Sequence, residues 1–83
     1  MVDEVTEDIC SVFTEMTPVI VALTGWSPER TRAVLFGRRC VHICTSIYRN
    51  SRSEGVGRDD ARVVLAFSLW TAFVGSLLHR PMF

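Results

Sequence analysis

Apolar positions recur with a helical period over most of the chain. Between residues 3 and 24, Val5, Ile9, Val12, Phe13, Met16, Ile20 and Leu23 fall within an arc of roughly 100° when each residue is turned by about 100°. Asp3, Glu4, Glu7, Asp8 and Glu15 lie across from them, and acids this early suit the positive end of a helix dipole. The spacing predicts one amphipathic helix over 3–24. Pro18 stands in its path, because proline removes a helical hydrogen bond and kinks or breaks the helix. It plots on the polar side, however, and the apolar phase carries through it to Leu23. The expectation is a kinked single helix, with a split at Pro18 as the alternative. Gly25 supplies the stop.

A second helix is predicted from Ser27-Pro28-Glu29, where serine is a favoured N-cap and proline a favoured first helical residue. Ala33, Val34, Phe36, Cys40, Val41, Ile43, Cys44, Ile47 and Tyr48 then share a face about 180° wide. Arg32, Arg38, Arg39, His42 and Arg49 lie opposite, which carries the helix to about residue 49. Leu35 is the exception, apolar on the polar side. Gly37 either weakens the helix by about 1 kcal/mol relative to Ala or marks a close packing contact. Residues 50–57 read as the loop, with two glycines and no periodicity.

The last predicted helix starts near Asp59 or Asp60 and ends at His79 and Arg80 before Pro81. Its residues 63–78 carry no charge and are apolar nearly all round, the pattern of a central helix. Ser68, Ala72 and Ser76, flanked by Thr71 and Gly75, form a small-residue stripe that lets another helix come close. Bulky Phe67, Trp70, Phe73, Val74, Leu77 and Leu78 cover most of the rest. The fold class expected is therefore all-α: a single three-helix bundle over 1–83, or four helices if Pro18 splits the first.

Composition adds a need for company. The chain has 83 residues, 48% of them hydrophobic, and a chain this short buries only about 60–65% of the surface it exposes when unfolded. Self-association as a homodimer, or a permanent protein partner, is expected, with Ser68, Ala72, Gly75, Ser76, Trp70 and Phe73 as the packing surface. Three cysteines, an odd and sparse number, and an N-terminus without signal-peptide order point to a reduced, cytoplasmic setting, in the protein's own cell or a host.

Charge changes the picture more. The nine acids and nine basic residues cancel, yet residues 1–29 hold six acids and no base, and residues 30–52 hold six arginines and no acid. There is no lysine; a GC-rich coding sequence accounts for that, as does the suitability of arginine for forked contacts with carboxylate or phosphate. The sorting predicts two binding faces: Glu4, Glu7, Asp8 and Glu15 on the first helix, and Arg32, Arg38, Arg39 and Arg49 on the second. Trp26 is a candidate anchor beside them.

No pattern argues for catalysis. Cys40, His42 and Cys44 cluster in sequence, with Cys10 and His79 as further donors, but His42 turns away from both cysteines, and zinc sites normally bring tightly spaced ligand pairs from loops. Free cysteines on an apolar arc are expected as small buried hydrophobes. Gly55-Val56-Gly57 is too short for a phosphate-binding loop and follows no strand. Neither cofactor nor metal is expected. The leading expectation is a small non-enzymatic interaction module, a regulator or inhibitor of a larger assembly.

Two alternatives come from the same residues. Ala22 to Leu35, with Gly25 in the turn and Ser27 capping the second helix, resembles the turn and second helix of a helix-turn-helix motif. That resemblance implies DNA binding through residues 22–39, with Arg30, Arg32, Arg38 and Arg39 on phosphates and bases. Against it stand the apolar Val19, Ile20 and Val21 and the neutral total charge. Alternatively, residues 63–78 between Arg62 and His79-Arg80 are a short membrane anchor, below the length of about 20 residues that spanning takes. Glu54-Gly55-Val56-Gly57-Arg58 is also similar to the Gly-Arg start of a central helix in apoptosis regulators of the Bcl-2 kind. That fold needs nearly twice this length, so the similarity assigns nothing.

Overall fold

The computed structural model describes residues 3–78, and side chains over residues 3–75. The chain is all-α, with four helices among the described residues: α1 (Glu4–Thr24), α2 (Pro28–Leu35), α3 (Arg38–Ser53) and α4 (Arg58–Leu78). The Asp3 carboxylate starts α1 by accepting from the Thr6 N–H at 2.8 Å. That hydrogen bond holds the Asp3 carboxyl below its ordinary range.

α1 runs unbroken through Pro18. Phe13 and Ile20, one on each side of the proline, are completely buried, and burying side chains of that size stabilises by about 2–3 kcal/mol each. Packing on both sides of Pro18 thus outweighs the local loss at an exposed position. Gly25 ends the helix in the left-handed region (φ 73°), its N–H returning to the Val21 carbonyl, a conformation that costs a side-chain-bearing residue about 1 kcal/mol or more. Two residues later the Ser27 hydroxyl accepts from the Arg30 N–H and α2 begins with Pro28 at its N-terminus.

The expected second helix is two helices. The chain breaks at Phe36-Gly37, where Gly37 is extended (ψ 153°) and serves as N-cap of α3. Leu35, the residue out of phase on an uninterrupted helix, explains the break. With α2 turned independently, Thr31 and Leu35 form its buried face and both are fully enclosed. Ala33, Val34 and Phe36, expected on the core side, are exposed instead. The Phe36 ring still packs edge-on against Phe13, with centroids 5.2 Å apart. Glycine also fits the space at this position: a Cβ there would stand 3.2 Å from the carbonyl oxygens of both Ala33 and Val34, tighter than an ordinary van der Waals contact. So the fourth helix arises at Gly37 and not at Pro18.

α3 runs to Ser53, past the expected end at 49, and the loop shortens to residues 54–57. α4 then returns against α1 and α3, its start marked by Asp59 and Asp60 in the first turn. Ala61, Leu65 and Leu69 are its buried side; together with Ile9, Val12, Phe13, Ile20, Leu35, Cys44 and Tyr48 they make the core. α4 packs against both α1 and α3, but its apolar surface is not all covered within the chain. Val63, Phe67 and Trp70 remain 65%, 66% and 42% exposed. The predicted stop at His79, Arg80 and Pro81 lies outside the described residues, as do the side chains of Ser76, Leu77 and Leu78. No described helix is long and apolar enough to cross a membrane.

Candidate functional site

The acids of α1 are paired within the chain, one of them inside the fold. Asp8, which the helical phase places on the solvent side, is 1% exposed. Arg58, at the start of α4, grips it with Nε to Oδ2 and Nη2 to Oδ1, both at 2.9 Å, and the Tyr48 hydroxyl donates to Oδ2. The forked arginine contact, helped by the tyrosine, holds the Asp8 carboxyl below the usual carboxylate range despite its burial. Burial, and then the hydrogen bond to Asp8, push the Tyr48 hydroxyl above its ordinary pKa.

The neighbouring acids complete the network. Glu4 Oε2 lies 3.0 Å from Arg52 Nε and 3.2 Å from the Tyr48 hydroxyl. Glu7 reaches Arg58 at 3.4 Å. Glu15 lies 3.6 Å from Arg62, and Arg62 also donates to the Ser11 hydroxyl at 2.7 Å. All four acids assigned to a partner-binding face are thus tied to Arg52, Arg58 or Arg62.

The arginines assigned to the second helix are placed differently. Arg32, Arg38, Arg39 and Arg49 are exposed, and none of them is in the ion pairs found among the described residues. The break at Gly37 divides them, with Arg32 on α2 and the other three on α3. Arg38, Arg39 and His42 together line a shallow depression. The first turn of α3 carries no acid and no side-chain cap, so the positive end of that helix adds to the charge of Arg38 and Arg39. Trp26 is half-buried: its ring meets Phe73 edge-on at 5.8 Å, and the Arg30 guanidinium sits 4.6 Å from its centroid.

Sharing Arg39 with this depression is an apolar groove of about 310 Å³ between α3 and α4, lined also by Val34 of α2. Ile43 and Ile47 form the α3 wall. Ser68, Leu69, Ala72 and Phe73 line it from α4, and Arg39 lines it from the first turn of α3. Ile43 is 51% exposed, although it lies on the apolar arc of α3. Three of the residues expected to pack against another helix, Ser68, Ala72 and Phe73, therefore meet in one groove. Trp70 is not among them; it projects on the outer side of α4, with Phe67 at a centroid distance of 6.4 Å.

Cys40 and Cys44 also line the groove, with Sγ atoms 3.9 Å apart. The contact between them, reinforced by burial, raises the Cys44 thiol well above its ordinary range, so it stays neutral. Cys10 is exposed on α1. Among the described residues, no three His, Cys, Asp or Glu side chains gather as a metal-binding group. Sequence reasoning missed the groove because its two walls are about 30 residues apart in the chain. The signal present was the small stripe itself, which needs a neighbour and on the groove side has none. Compared with known proteins, the chain matches no family model, no curated protein and no solved structure, so its function is argued from this geometry.

Proposed function

We propose that this protein is a small non-enzymatic interaction module that receives an amphipathic helix, apolar on one face and acidic at one end, in the groove between α3 and α4. The observation that carries the reading is the conjunction of an apolar groove lined by the small Ser68 and Ala72 with arginines, Arg39 in its lining and Arg38 beside it, that are in none of the ion pairs among the described residues. Ser68 and Ala72 let a helix approach closely. Ile43, Ile47 and Phe73 offer apolar walls, and burial there provides most of the affinity. Arg38 and Arg39 speed encounter and set direction, with the acidic end of the guest lying at the start of α3. The acids of α1 are given no part in this reading, since each is paired within the chain to Arg52, Arg58 or Arg62.

Fluorescence anisotropy with two labelled peptides tests the reading. Both carry the same leucine and isoleucine stripe; one has glutamates flanking its N-terminal half and the other has lysines. The acidic peptide should bind more tightly. Arg39→Glu should reverse that order, and Ala72→Trp, which fills the groove from an exposed position, should remove binding of both. Equal binding of the two peptides, or binding indifferent to Ala72→Trp, sinks the proposal. Strong salt-dependent binding of generic duplex DNA that Arg38→Glu/Arg39→Glu abolishes would favour the nucleic-acid reading instead.

A further inference from the structure

The face of α4 opposite its buried side has the properties that this groove selects. Counting about 100° per residue, Val63, Phe67, Trp70 and Val74 centre on the side of α4 turned away from Leu65. Asp59 and Asp60 fall on either flank of that stripe at its N-terminal end. Val63 and Phe67 are about two-thirds exposed, at 65% and 66%, and both aspartates are exposed. None of the ion pairs among the described residues uses Asp59 or Asp60. The chain thus displays an apolar helical stripe that begins with two acids outside those ion pairs, and separately an apolar groove lined at the start of α3 by Arg39, with Arg38 in the adjoining depression.

We infer that the α4 stripe of one copy docks in the α3–α4 groove of the next, so that the protein associates with itself head to tail. The inference rests on the groove being a helix-binding site and names its occupant. Charge complementarity fixes the direction: Asp59 and Asp60 of the incoming α4 lie at Arg38 and Arg39, which places the incoming helix roughly parallel to α3. Val63, Phe67 and Trp70 then lie along the groove over Ser68 and Ala72. Groove and stripe are on opposite sides of α4, so the contact is heterologous. Each copy offers one stripe and one groove, and the association extends as an open chain or ring instead of closing as a twofold pair. The exposure of large aromatic side chains is what such an interface needs, since a few buried aromatics dominate binding energy.

Size-exclusion chromatography with light scattering on the full chain, over a range of concentrations, tests this directly. The mean mass should rise with concentration beyond that of two chains. Phe67→Asp, on the stripe, and Ala72→Trp, in the groove, should each raise the concentration needed for assembly by about 30-fold or more. Both positions are exposed, so helicity by circular dichroism should not change. An equimolar mixture of Phe67→Asp and Ala72→Trp should give a discrete particle of two chains, because one variant keeps a groove and the other a stripe. Asp59→Arg/Asp60→Arg should weaken assembly about tenfold, and Arg38→Asp/Arg39→Asp in the other copy should restore it. A parent chain that stays monomeric throughout overturns the inference, as does a mixture of the two variants that remains monomeric. If a monomeric parent still binds the acid-flanked peptide, self-docking is wrong and the groove reading survives. If neither peptide nor second copy enters the groove, both fall.

Discussion

Asp8 shows how far a helical projection reaches at the scale of one residue. Its phase on α1 is that of a solvated acid, yet it is enclosed by Arg58 and Tyr48, residues 50 and 40 positions further along the chain. Nothing local marks that. The contact exists because α4 returns along α1 with an arginine in its first turn, beside a tyrosine from the α1-facing side of α3. With its folded pKa depressed by Arg58, Asp8 contributes stability that is present above its unfolded value of about 3.9 and lost as pH falls through the lower folded value. Thermal melts from neutral pH downwards should therefore fall away below about pH 4, and Asp8→Asn should flatten that acid limb. Asp8→Ala removes the forked partner of Arg58 and leaves the buried Tyr48 hydroxyl only its longer contact to Glu4, and should cost about 2 kcal/mol, a loss of about 10 °C in Tm for a chain this size. A Tm within a degree or so of the parent would show that the network contributes nothing.

Among the elements, the instructive contrast is between Pro18, which looks like a breaker and is not, and Gly37, which is. A proline inside a helix costs about 3 kcal/mol locally, but α1 is held on both sides of Pro18 by fully buried side chains. Pro18→Ala should accordingly raise stability by about 1–2 kcal/mol, less than the local cost because the unfolded chain also regains freedom. At Gly37 the constraint is backbone oxygen 3.2 Å from any added Cβ, and backbone does not yield as a side chain does. Gly37→Ala should destabilise by about 1–2 kcal/mol. The two substitutions, made in parallel and followed by chemical denaturation, should move in opposite directions. The helix start at Ser27-Pro28, the stop at Gly25 and the acids opening α4 were legible because capping is local chemistry. The break at Gly37 was written in one residue, the misplaced Leu35, and reading it required giving that exception more weight than the nine residues that agreed.

On the scale of the whole molecule, the sorted charge divides into two systems. Arg52, Arg58 and Arg62 answer the acids of α1 and fasten the bundle. Arg32, Arg38, Arg39 and Arg49 are in none of the ion pairs among the described residues. Sequence could show that the charges were sorted but not which arginines were spoken for, because pairing depends on how α4 crosses α1. Similarly, the surplus of apolar residues was legible and its location was not. The groove needs α2, α3 and α4 together, and the outer stripe is visible only once Leu65 is known to point inward. Arg38→Glu/Arg39→Glu should leave stability within about 0.5 kcal/mol of the parent, as surface changes usually do, while Arg58→Ala should lower Tm clearly. Equal effects from the two variants would mean that the division is wrong. The two tryptophans happen to sit on either side of this arrangement. Trp26 lies against Phe73, a residue of the groove lining, and Trp70 lies beside Phe67 on the outer stripe. Each is an optical probe of a different surface, so Trp26→Phe leaves an emission that reports the stripe and Trp70→Phe one that reports the groove, and the chain needs no added dye for the two to be followed apart.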